Sequence, residues 1–227
     1  MTQAHTSKDF EQELRTLRER LATMGERAAR QVALAMRALA DKDDELARDV
    51  VKNDAQIDRD ENDIDELALQ ILATRQPVAS DLRFISMSLK LVVDLERIGD
   101  LACGIAKRAL ELNRLPTLEP RVDLSQLAQL VQANLQAALD SFVRKDAERA
   151  TAVITADVEI DRLNASLFAE LIAHVATDPA TVTRVLPLTS VCRYLERVGD
   201  HVKNLAEDVV YMVRATDVRH RPILPTN

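Results

Sequence analysis

Apolar residues recur along most of this chain at alternating three- and four-residue steps. From Lys8 to about Ala40, Phe10, Leu14, Leu17, Leu21, Met24, Ala28 and Ala35 keep that rhythm, which places them on one face of an amphipathic helix. Thr6 or Ser7 is expected to cap it, and "ADKDD" to end it. A second helix is predicted from about Asp43 to Arg75, where Pro77 removes a donor and stops it. A third runs from Ser80 or Asp81 to about Asn113, followed by the two-proline connection "RLPTLEP". Three more are predicted: about Val122 to Arg144, Asp146 to Ala176, and one that starts after Asp178-Pro179, with Asp178 as its cap and Pro179 in its first turn, and ends near Ala215.

The second half repeats the first. "DAQIDR" at 54–59 aligns with "DVEIDR" at 157–162, an offset of 103, and "LERIGD" at 95–100 aligns with "LERVGD" at 195–200, an offset of 100. The three missing residues are expected in the loops "RQPVASD" and "ATDPAT", where length changes are best tolerated. The predicted fold class is therefore all-α: six long helices forming two duplicated antiparallel three-helix bundles, residues 1–114 and 121–215, with an irregular tail over 216–227.

Composition agrees and excludes several classes of function. Four glycines, seven prolines, no Trp and 3% aromatic residues leave a core of Leu, Val, Ile and Ala. A net charge of −7 argues against nucleic acid as a partner. No basic leader followed by an apolar run, and no stretch of about 18 apolar residues, appears, so a cytoplasmic protein without membrane insertion is expected. Cys103 and Cys192 form no CxxC and read as buried reduced thiols.

Four carboxylate pairs carry the candidate chemistry. Asp54 with Asp58, Glu96 with Asp100, Asp157 with Asp161 and Glu196 with Asp200 are each four residues apart, on one helix face. A chain this acidic would give about six such pairs by chance on charged helical surfaces, so a single pair means little. Two pairs per repeat at corresponding positions mean more. If the second and third helices of each repeat form a hairpin, the pairs in the first repeat are centred about residue 77, at Pro77, and those in the second about 178.5, at Asp178-Pro179. Each hairpin then brings four carboxylates to one height, a repulsive arrangement that a cation relieves. All-oxygen ligation suits magnesium, manganese or oxidised iron, with zinc less favoured. Gly99 and Gly199, each costing about 1 kcal/mol inside a helix, fit positions where a neighbouring helix or a metal cluster approaches the backbone. Arg97 and Arg197 are candidates to offset surplus negative charge. Asn62, Asn204 and His201 are secondary ligand candidates, and His174 reads as structural.

"RQPVASDLRFI" at 75–85, "LERIGD", "LERVGD" and "ELRTLRERLATMG" at 13–25 together resemble the phosphate-uptake regulator family, PhoU, over nearly the whole chain. The resemblance implies a peripheral cytoplasmic regulator, not an enzyme. It also implies contact with the ATP-binding subunit of a phosphate ABC transporter and with a phosphate-sensing histidine kinase, homodimerisation, and multinuclear di- or trivalent metal ions on Asp54, Asp58, Glu96, Asp100, Asp157, Asp161, Glu196 and Asp200. Asp94 begins a "DxxRxxD" stripe that Tyr194 interrupts in the second copy, so unequal metal sites are expected. A di-iron oxidase is the alternative. It requires Glu-x-x-His motifs inside a bundle, whereas the one carboxylate three residues before a His is Asp217, before His220 in the tail.

Overall fold

The computed structural model describes the backbone of residues 2–219 and the side chains of residues 8–219. Among these residues there are six α-helices and no strand: α1 (Thr2–Asp41), α2 (Asp44–Arg75), α3 (Ala79–Leu112), α4 (Ser125–Arg144), α5 (Ala147–Thr177) and α6 (Val182–Arg214), with a 3-10 turn at Pro179–Thr181 leading into α6. The all-α, six-helix expectation holds.

The duplication extends to the turns. Lys42 and Lys145, 103 residues apart, both adopt the left-handed conformation, with φ of 55° and 54°. The following Asp43 and Asp146 donate their backbone N–H back to the carbonyls of Ala38 and Ser141, at 3.0 and 2.9 Å. Each Asp side chain then accepts from the next helix, from the Leu46 N–H at 2.9 Å and the Arg149 N–H at 3.0 Å. One short motif thus ends a helix and caps the next in both halves.

Three boundaries differ from expectation. α1 begins at Thr2, so Thr6 and Ser7 lie inside it rather than capping it. α4 begins at Ser125 rather than near Val122, because Asp123 turns the chain by accepting from the Ser125 N–H at 2.9 Å, while Val122 and Leu124 are spent as buried plugs. Asp178 caps the 3-10 turn, not α6 itself. Pro187 lies within α6, where it removes one helical donor. The tail expected over 216–227 falls outside the described residues from 220 onward, His220 included.

α3 and α6 cross the centre antiparallel. Arg83 Nε donates to the Met212 carbonyl at 3.2 Å, Asp94 meets His201 at 2.8 Å, and the Tyr194 ring lies over Gly104. α1 and α2 pack on α3, α4 and α5 pack on α6, and α1 touches α4. The two bundles share one continuous core in which Leu91, Leu95, Ile98 and Ile105 of α3 and Val191, Leu195, Val198 and Val202 of α6 are buried. Burying one such side chain contributes about 1.5–3 kcal/mol. The Arg75 guanidinium grips both oxygens of Glu13 at 2.7 and 2.8 Å, fastening the end of α2 to α1. Cys103 and Cys192 are both free and buried, as expected from the sequence.

Candidate metal centre

Each hairpin holds its four carboxylates on facing helix surfaces. In α2, Asp54 is half-buried and Asp58 exposed; in α3, Glu96 is half-buried and Asp100 exposed. What brings these helices together is Ile57, which sits between the two aspartates and lies over Gly99, between Glu96 and Asp100. A Cβ at Gly99 would stand 2.7 Å from Ile57 Cδ1 and 3.2 Å from its Cγ2. In the second hairpin Ile160 repeats the contact against Gly199, at 3.1 and 3.2 Å. The glycines therefore serve close approach of a neighbouring helix through one isoleucine each.

Mutual repulsion shows in the proton affinities. Burial, then the adjacent Asp100, push Glu96 up to about 7, with Glu61 adding to the effect and Arg97 opposing it. Burial raises Asp54, with Asp100 and Asp58 adding to it while a hydrogen bond with Cys103 opposes it. In the second hairpin burial raises Glu196, assisted by Asp200 and Asp161, and raises Asp200, assisted by Asp157 and Asp161. The aligned carboxylates of each hairpin are thus near enough to repel across the helix pair, as equal distances from the turn require. Arg97 reaches Glu96 at 3.4 Å and Asp100 at 3.1 Å, the charge-offsetting role expected of it.

Two carboxylates of the first half escaped the reading by pairs. Glu61 and Asp65 continue the Asp54, Asp58 stripe along α2 at steps of three and four. Burial raises both, and one Asp65 oxygen is shielded from water with no hydrogen-bond partner. The stepwise spacing was visible in the sequence; the second copy lacks it, having Asn164 and Phe168 at the aligned positions. The secondary candidates have other employment. Asn62 donates to the Asp58 carbonyl at 2.7 Å. His201 and Asn204 both reach Asp94, at 2.8 and 3.3 Å. Asp94 and Tyr194 thus belong to the seam between the halves. The two carboxylate sets differ at another place: Lys203 Nζ donates to Asp157 Oδ2 at 2.9 Å, where the aligned residue of the first half is Cys103.

As the side chains stand, no three His, Cys, Asp or Glu residues among those described converge on a point that would hold a metal ion. The four carboxylates of the first half nevertheless offer a hard cation oxygen donors, among them a half-buried glutamate whose ionisation is opposed, with the Cys103 thiol beside Asp54. In the second half the fit is poorer, because an ammonium group already neutralises Asp157. A cavity of about 380 Å³ between α1, the 113–124 linker, α4 and α6 is lined by Met36, Leu112, Leu118 and Leu188 and includes none of the eight carboxylates.

Fold and site together define a duplicated three-helix-repeat protein with acidic pairs on each α-hairpin. The chain matches the PhoU domain twice, over residues 21–109 and 124–209, and it belongs to the PhoU family. It is 44% identical over 218 residues to the phosphate-specific transport system accessory protein PhoU homolog of Pseudomonas aeruginosa, covering 95% of this chain and 90% of that one. The homolog of the same name from Rhizobium meliloti is 38% identical over 214 residues, covering 93% and 90%. The crystal structure of PhoU from Pseudomonas aeruginosa superposes with a TM-score of 0.88 at 42% identity, covering 91% of this chain and all of that one. The phosphate transport system regulatory protein PhoU from Streptococcus pneumoniae gives 0.83 at 28% identity, covering 92% and 99%. Membership of this family makes the chain an accessory protein and not an enzyme.

Proposed function

We propose that this protein regulates phosphate transport by contact, as a non-enzymatic helical adaptor whose carboxylate hairpins bind di- or trivalent cations. The observation that carries the first part is the match of both repeats to one family whose members are named for the phosphate-specific transport system. Its partners, on this reading, are the transporter's ATP-binding subunit and a phosphate-sensing histidine kinase. It works at the cytoplasmic face of the membrane, as a homodimer; no helix among the described residues is long and apolar enough to cross a membrane. Exposed apolar side chains at the tip of the second hairpin, Phe168, Ile172, Val182 and Leu186, support a role in contact.

Asp54, Asp58, Glu96 and Asp100 would hold the cation in the first half, with Asp157, Asp161, Glu196 and Asp200 as the corresponding set in the second. A bound cation would relieve the repulsion between α2 and α3 and invert the local charge, which free phosphate would otherwise find repulsive. Pull-down of the full chain from phosphate-replete cells tests the contact reading. The transporter ATPase and the sensor kinase should be recovered with it, and deletion should leave phosphate-starvation genes expressed in rich phosphate. Recovery of neither partner, together with normal repression in a strain lacking every copy, would refute it.

A further inference from the structure

We propose that Lys203 is a built-in counter-cation of the second carboxylate cluster, so that the two halves bind metal unequally: the first takes an external ion, while the chain itself neutralises the second. This rests on the reading that the carboxylate hairpins are cation sites. The second cluster already contains a cation, and it is covalently attached. Lys203 Nζ lies 2.9 Å from Asp157 Oδ2, and Asp157 is only 4% exposed. The aligned Asp54 has no such partner. At position 103 it meets a thiol, which supplies a hydrogen bond but no charge, and Lys107, one turn further along α3, lies against that thiol.

A further difference points the same way. The first half adds Glu61 and Asp65 to its α2 stripe, while the second has Asn164 and Phe168 there, so the helix facing Glu96 carries two further carboxylates in the first half alone. An incoming ion in the second half must displace an ammonium that is tethered at high effective concentration and repels it. In the first half no lysine is paired with Asp54, Lys107 acting on it through its charge without an ion pair, and Arg97 lies on Glu96 and Asp100 instead.

A residue swap tests this with Mn²⁺ alone as the probe, the full chain being followed by titration calorimetry and by metal analysis after desalting. Wild type should show a first-half class at least tenfold tighter than any second-half binding, and Glu96→Ala with Asp100→Ala should abolish that class. Lys203→Cys, which installs the first half's residue, should add a second class that survives in the Glu96→Ala/Asp100→Ala background. The reciprocal Cys103→Lys should remove first-half binding. It decides the matter should Lys203→Cys fail to fold, and circular dichroism monitors both variants. If wild type retains half its Mn²⁺ at undiminished affinity when Glu96 and Asp100 are changed, the lysine proposal fails and the metal reading stands. If folded Lys203→Cys gains no site, or folded Cys103→Lys loses none, the proposal is likewise overturned. Absence of Mn²⁺ binding in wild type overturns both.

Discussion

Replacing Gly99 by alanine should destabilise the protein, although the substitution favours the helix. In an open helix the change would contribute about 1 kcal/mol of stability. Here the new methyl group would stand 2.7 Å from Ile57 Cδ1 and 3.2 Å from Cγ2, well inside ordinary contact distance. Ile57 is fully buried, and as a β-branched residue in a helix it has essentially one favoured χ1 rotamer. Rotating the ethyl arm relieves the closer contact but not the one to Cγ2, so α2 must shift outward by several tenths of an ångström. Overpacking of this kind costs about 1–3 kcal/mol; the net expectation is a loss of ~1 kcal/mol, or about 2–4 °C in melting temperature for a chain of this size. Ile57→Val alone should cost about 0.5–1.5 kcal/mol. In the Gly99→Ala background it should cost nothing or restore stability, giving a coupling of ~1 kcal/mol in a double-mutant cycle. Gly199→Ala meets Ile160 Cγ2 at the same 3.2 Å but Cδ1 only at 3.1 Å, so it should destabilise in the same direction and by less. Thermal and urea unfolding of the four first-half proteins measures all of this. An unchanged or raised melting point for Gly99→Ala, with coupling near zero, would refute the claim that the glycine exists to seat Ile57.

Asp208 is buried in α6, and desolvation pushes it up to about 6. Wild type should therefore lose stability as pH rises from the ordinary carboxylate range to about 6, and Asp208→Asn should match it near pH 4 yet exceed it at pH 8 by up to ~3 kcal/mol at ~1.4 kcal/mol per tenfold change in proton affinity; urea unfolding that showed the same difference at both pH values would contradict this. Burial raises the Cys192 thiol to about 12, so it should react with a thiol reagent at pH 8 only as fast as the protein opens, and faster labelling without denaturant would count against that. Arg75→Ala removes the two-pronged contact with Glu13 and should lower the chemical-unfolding midpoint slightly, an effect that 1 M salt should shrink if the contact is electrostatic.

The helices were legible because long amphipathic periodicity needs no tertiary information, and the hairpin registers were legible because equal counts from a turn fix which residues stand level. The acidic pairs followed from both. What the sequence hid was the relation between halves. The role of Asp94 depends on His201 and Asn204, 107 and 110 residues away, and no spacing rule reaches across an interface between repeats. Lys203 lay in plain view opposite Cys103 in the alignment of the copies. Its meaning depends on a lysine stem long enough to turn back onto Asp157 of another helix, which is a matter of rotamer and burial rather than of pattern. The start of α4 slipped because Asp123 turns the chain ahead of it, a local hydrogen bond that apolar periodicity does not register.

The seam itself shows what duplication permits. α3 and α6 run antiparallel, so each pair of aligned positions meets twice, once with each half supplying either partner. Position 94 faces 204 and 208, and position 194 faces 104 and 108. The first encounter is polar: Asp94 is held by His201 and Asn204, with Asp208 close enough to be disfavoured as an anion. The second is aromatic: the Tyr194 ring lies over Gly104, and its hydroxyl is within hydrogen-bonding reach of Arg108. Two identical copies would have to make both encounters alike, with either two aspartates or two tyrosines in the seam. Joining the copies in one chain lifts that constraint, and the halves have diverged where they touch. The residues that remained the same, Ile57 with Ile160, Gly99 with Gly199 and the four carboxylate pairs, act within each hairpin, where the requirement is set by the distance between two helices and not by the other half.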